Sequence, residues 1–301
     1  MRQLRDAWVV ATFELRDALR SRKALVLLVL YVAGAGAGTG IFVRVLSAIE
    51  TALARTLQVA ATDRPGAMTR ALLDTREFHD IVARLIGDDQ LADELVHIPP
   101  VALFYGWLAM TFVPFLVILL ASDAVASDVA TGTARFSLFR TSRLAWATGK
   151  LAGQAALVAL GIAAGGVASY VIGWIFLSAF EPLATLAWMA QLGARAWVLA
   201  FAYVGLALGV SQLTRSTHWS RGLGLLALVG SGVAGEWLTS RWAEAHIPVI
   251  SSSLVVLLPR AHELDLWRTL WWERLPACVM LIALGLCYFA AGHLRFARRD
   301  A

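Results

Sequence analysis

The sequence predicts an all-α membrane protein. It should have six transmembrane helices, an amphipathic interfacial helix at the N-terminus, a short helix within one cytoplasmic loop and a helical loop on the outer face. Three observations carry this. Of 301 residues, 59% are hydrophobic and 16% are charged, whereas a soluble domain carries about 25% charged residues; mean hydropathy is +0.68. The apolar residues are gathered into runs of the length that crosses a hydrocarbon core, about 20 residues at ~1.5 Å each. The positive charge is gathered in alternate connections, as topology requires.

Residues 1–23 carry charge throughout, with no short apolar core before a cleavage site, so they do not read as a signal peptide. Leu4, Trp8, Leu15 and Leu19 fall near one helical face, while Val9 and Phe13 fall among the charges. This pattern predicts a helix lying in the membrane interface. The first span is 24–45. Its Gly34, Gly36, Gly38 and Gly40 form two interleaved G-x-x-x-G patterns, which predict close packing against another helix. The loop 47–100 holds nine acidic residues and five Arg. Phe78, Ile81, Val82, Leu85 and Ile86, and then Leu91 and Leu95, recur at helical spacing and predict one or two amphipathic helices. His79 and His97 have no second His or Cys at ligand spacing, so no metal site is expected. The second span is 101–120, with Pro114 inside it.

The polar stretch 121–150 interrupts two uncharged apolar runs. It carries Arg135, Arg140, Arg143 and Lys150 against Asp123 and Asp128, so it reads as a cytoplasmic loop, and it has the composition of a short helix. Asp123 and Asp128, then Gly132-Thr133, Arg135-Phe136, Arg140-Thr141-Ser142-Arg143 and Gly149-Lys150 resemble the cytoplasmic loop of ABC-2 type transporter permeases. Glu14-Leu15-Arg16 and Arg20-Ser21-Arg22 resemble the helix that opens those chains. Many members of that family have Glu at the place of Asp128 and a Pro before the Ser-Arg step, where this chain has Arg140-Thr141. The resemblance implies that 121–150 carries a coupling helix that docks on a separate ATPase subunit, with Asp123, Asp128, Gly132, Thr133, Arg135, Arg140 and Arg143 as the coupling residues.

The remaining spans are 151–178, 188–211, 222–238 and 275–292, the last preceded by Trp267, Trp271 and Trp272, an interfacial aromatic belt. Residues 248–258 are apolar but too few to cross, and read as re-entrant or interfacial; the family resembles this too. Arg195 and Glu236 each lie inside an apolar span. Counting along the helices at ~1.5 Å per residue puts Arg195 about 10 Å below the outer face and Glu236 about 21 Å above the inner one. Both fall in the outer half, which leads to the expectation that they approach each other, directly or through Gln191 or water. Separate snorkelling is the other reading.

The two termini and the loops at 121–150 and 214–221 together carry 15 Lys and Arg, so both termini are expected to be cytoplasmic and the protein to be a multi-pass protein of the inner (plasma) membrane. The net charge of +5 is a matter of topology and implies no nucleic-acid partner. No G-x-x-x-x-G-K-[ST] occurs, so the chain has no phosphate-cradling loop and is not expected to be an enzyme. Nor do its spans hold the chain of ionisable groups of a proton-driven carrier. The resemblance therefore implies one permease domain over 24–301, an exporter by family tendency, working in the lipid bilayer as a homodimer with an ABC ATPase. ATP and Mg would be bound by that partner and no cofactor by this chain. A scaffold or receptor acting through the outer loop 47–100, without transport, is the alternative.

Overall fold

A computed structural model describes residues 2–56, 89–177, 180–240 and 246–298. No strand occurs among them. The helices are α1 (Arg2–Arg20), α2 (Arg22–Thr56), α3 (Asp89–Val96), α4 (Pro100–Ala121), α5 (Ala124–Thr131), α6 (Thr133–Leu138), α7 (Arg143–Phe176), α8 (Pro182–Leu213), α9 (Thr217–Leu238), α10 (Pro248–Val255) and α11 (Trp271–Ala297). Two 3-10 turns, Pro259–His262 and Leu264–Trp267, join α10 to α11. The helices expected around Phe78 and Ile86, and His79, lie outside the described residues.

Among the described residues, five helical stretches are long and apolar enough to cross a membrane: Arg22–Ala52, Pro100–Thr131, Arg143–Phe176, Pro182–Leu213 and Trp271–Ala297. The protein is a multi-pass helical membrane protein. α9 is not among the five. Its 22 residues would reach about 33 Å, but His218, Arg221, Glu236 and a series of glycines dilute its apolar content.

α4 and α8 form the centre of the bundle. Val113, Val117 and Ile118 of α4 and Leu192, Ala196, Val204 and Leu208 of α8 are buried, and α2, α7, α9 and α11 pack around them. In lipid the hydrophobic effect does not drive helices together, so close approach of small residues takes over. This happens between α8 and α11, where Gly205 faces the backbone of Gly285, Gly209 that of Tyr288 and Gly292 that of Gly209, leaving no room for a Cβ. The glycines of α2 behave otherwise. A Cβ would meet nothing at Gly34 and only ordinary contacts at Gly36 and Gly40; Gly38 alone is tight, against Leu108. Among the described residues, the close packing expected along that series is therefore found at Gly38 alone. α2 instead meets α7 through Ala35, whose carbonyl accepts from Ser169 at 3.3 Å.

Both described chain ends lie at one face of the bundle. α1 packs along the start of α7, and Arg143 Nη1 donates to Ala297 O at 2.7 Å, with Trp146 stacked on Phe296. The opposite face is covered by α3 and the turns before α11. There Leu91 and Leu95 are buried and the Thr269 amide donates to Glu94 Oε2 at 2.6 Å.

Candidate functional site

The stretch read as one polar loop is mostly helical. α7 begins at Arg143, with Ser142 as its N-cap accepting from the Ala145 amide at 3.2 Å. What remains of the loop folds as two short helices, α5 and α6, where one was expected. They meet at Gly132, whose φ of 77° is left-handed, a conformation that costs a residue with a Cβ about 1–2 kcal/mol. Thr131 and Thr133 share a hydroxyl hydrogen bond of 2.8 Å across this joint.

The start of α5 is held from a distance. Its first amides lack helical partners, as at every helix start, and Asp123 in the N-cap position gives no side-chain bond. Ser211 of α8 supplies one instead: its Oγ accepts from both Val125 N and Ala126 N at 3.0 Å. Asp123 is occupied elsewhere. It receives Lys23 Nζ at 2.7 Å from the start of α2 and Arg221 Nε at 2.7 Å from the start of α9, and Arg221 Nη2 also reaches it. The Ser220 hydroxyl adds a hydrogen bond to Ser122 O.

A second cluster ties α5 to α1 and α7. Gly149 and Gly153 lie one turn apart on α7 and let α1 come close; a Cβ at Gly149 would stand 2.7 Å from Ala7 O. Between them, Lys150 is 4% exposed. Its ammonium contacts Glu14 Oε2 of α1 at 2.7 Å and Asp128 Oδ2 of α5 at 2.8 Å, and lies 5.3 Å from the centre of the Trp146 ring. Gln154 Nε2 donates to the other Glu14 oxygen at 2.9 Å. Desolvating an ammonium costs several kcal/mol, and only paired charges with further hydrogen bonds offset it. Two carboxylates and a ring face supply that compensation, so Lys150 specifies how α1, α5 and α7 meet. A cavity of about 700 Å³ opens beside this cluster, lined by Phe13, Asp17, Lys23, Ser137, Arg140 and Lys150 among others.

The expected coupling residues thus separate into groups. Asp123 and Asp128 are each the hub or arm of an ion-pair cluster. Gly132 and Thr133 form the α5–α6 joint, and Arg143 binds the end of α11. Arg135 and Arg140 are exposed, beside Phe136 and Phe139 at 75% and 86% exposure. Sequence reading missed Glu14 as a partner of Lys150, and with it Gln154, Lys23, Arg221 and Ser211. A signal was present in Gly149-Lys150-x-x-Gly153, a cation between two small residues on one helical face.

α1 also differs from its expected role as a purely interfacial helix. Leu4, Trp8 and Leu19 are exposed as a lipid-facing stripe would be, but a second face, Ala7, Ala11 and Glu14, packs on α7.

Arg195 and Glu236 do not pair. Arg195 is buried and donates from Nη1 to Leu266 O at 3.2 Å and from Nη2 to Gln191 Oε1 at 3.5 Å, with Trp188 beneath it at 6.0 Å. Glu236 is exposed and faces Arg260 at 3.7 Å. The 3-10 turns cause this. They bring a backbone carbonyl to one ionised group and a cation to the other, and a guanidinium with five donors donates readily to a carbonyl. Among the described residues no group of three or more His, Cys, Asp or Glu is placed to hold a metal.

An all-helical bundle, several times membrane-spanning, with a charged helical elbow between its second and third long helices, defines a multi-pass helical membrane protein. The family comparison agrees: the model of the ABC-2 family transporter proteins matches residues 8–254. The chain belongs to that family and is a permease component of an ABC transporter, the transmembrane part and not the catalytic one. No match was found among curated proteins.

Proposed function

We propose that the chain is the permease subunit of an ATP-driven exporter and that its α5–α6 elbow is the coupling element for a separate ABC ATPase. The observation that carries this is the Lys150 cluster. A buried cation joins the elbow, through Asp128, to the first helix of the chain and to a long membrane helix. A push on the elbow is thereby delivered to the bundle. The exposed Phe136 and Phe139, flanked by Arg135 and Arg140, supply the apolar and basic surface for docking.

In this reading the basic face is cytoplasmic, α9 is the sixth span, and both termini are inside. The charge asymmetry supports that orientation, as does the presence of both described ends at one face. Two copies work with two ATPase subunits, which bind ATP and Mg. Their closure moves the elbows and alternates access between the two sides. The test is assembly and turnover with the ATPase. Asp128→Ala should leave membrane insertion intact and lower substrate-stimulated ATP hydrolysis several-fold. Normal stimulated turnover in this variant would contradict the coupling role.

A further inference from the structure

A groove of about 480 Å³ lies between the second half of α7 and the first half of α8, away from the charged elbow, on two helices long and apolar enough to cross a membrane. Its floor is built from small residues, Ala159, Ala163 and Gly166 on one helix and Ala190, Gly193 and Ala194 on the other, with Tyr105 of α4 behind. Larger neighbours would close it, so the small side chains leave a channel along the helices. From Leu186 to Trp197 it runs about 16 Å at ~1.5 Å per residue.

The chemistry of the wall is one-sided. The side-chain donors on it are Tyr105, Tyr170 and Trp197, and each is committed to a backbone carbonyl of the protein. Tyr105 donates to Ile162 O, Tyr170 to Pro182 O at 3.4 Å, and Trp197 Nε1 to Ala155 O at 2.9 Å. A polar ligand would find no side-chain donor free there, and burying its polar groups unpaired costs several kcal/mol. The rim is apolar and open: Val167 and Leu186 line the groove and are 63% and 53% exposed. They continue the exposed apolar belt of these two membrane-length helices, Leu160, Val171 and Leu183.

We propose that this groove holds one acyl chain of a bilayer phospholipid, bound between α7 and α8. The size fits. At ~30 Å³ for a water-sized group in a liquid, the volume takes about 16 such groups, one acyl chain. A helix of a second copy does not fit inside, since ~16 Å of a helix ~10 Å across fills roughly 1,200 Å³. The chain fills the space between the two helices, where an empty channel would forfeit packing.

The experiment uses the full-length protein in vesicles of phosphatidylethanolamine and phosphatidylglycerol doped with a phosphatidylcholine carrying a diazirine in one acyl chain. After photolysis, adducts are mapped by peptide mass. Labelling of 159–170 and 186–197 should exceed that of the exposed apolar face of α2 around Val26 and Leu30 several-fold. Filling the groove with Ala190→Phe and Ala194→Phe should lower labelling of 159–170 several-fold and leave α2 unchanged. Equal labelling of groove and α2 in the unsubstituted protein means surface lipid only and overturns the proposal. So does groove labelling that survives filling, or efficient disulfide capture between two copies through Ala190→Cys, which would make this face a protein interface.

Discussion

Lys150 Nζ lies 2.7 Å from Glu14 Oε2, across 136 positions of sequence. With Asp128 on the other side of the same ammonium, this contact makes the first helix of the chain part of the elbow. Replacing Lys150 with Met leaves two half-buried carboxylates without their shared cation. The expected loss is roughly 3 kcal/mol, seen as a lowered thermal midpoint of the purified protein. A double-mutant cycle with Glu14→Gln should show the two losses to be far from additive; additive losses would mean that the pair contributes nothing to the assembly.

Gly132 sets the angle between α5 and α6. Gly132→Ala should cost about 1 kcal/mol from the left-handed φ and reduce coupled ATP hydrolysis. Gly132→Asn should recover much of the activity, because Asn tolerates that conformation. Equal activity in both variants and the parent would show that the elbow angle is not needed.

Ser211 caps α5 from another helix. Ser211→Ala should remove about 1 kcal/mol of local stability, the ordinary value of an N-cap. It should also speed hydrogen exchange at Val125 and Ala126 selectively. Unchanged protection of these two amides would show that the cap is not formed in the bilayer.

Much of this fold was legible in the sequence because hydropathy is a local property. A run of apolar residues declares a span whatever it packs against, and the Asp, Gly-Thr and Arg pattern around 128–143 marked the elbow. The contacts were not legible. Packing in lipid relies on small residues, which carry little hydropathy signal, so the Ala7–Ala11–Glu14 face of α1 was hidden behind the Leu4–Trp8 stripe. A glycine pattern says that close approach is allowed but not where it happens. Of the series Gly34 to Gly40 only Gly38 is tight, while Gly205 and Gly209 take the contact with α11. Lys150 and Arg195 show the same limit. The number of charges on a span is readable, but their partners come from α1, α5 and the 3-10 turns, placed by the fold.

Arg195 and Glu236 have different partners, Leu266 O with Gln191 and Arg260. Arg195→Leu and Glu236→Leu should therefore be additive in stability within about 0.5 kcal/mol. A coupling well above that value would restore a direct interaction between them.

The docking of the elbow on an ATPase is the central claim, and site-specific photocrosslinking tests it most directly. A photoreactive amino acid is placed at Phe139 on the elbow and, separately, at Leu183 on the opposite face, both of which are highly exposed. The protein is then irradiated with its ATPase partner in the membrane. The account predicts an adduct with the ATPase from position 139, strengthened or weakened by ATP, and none from position 183. An intact complex that gives no adduct at 139, or gives one from 183 instead, would contradict it.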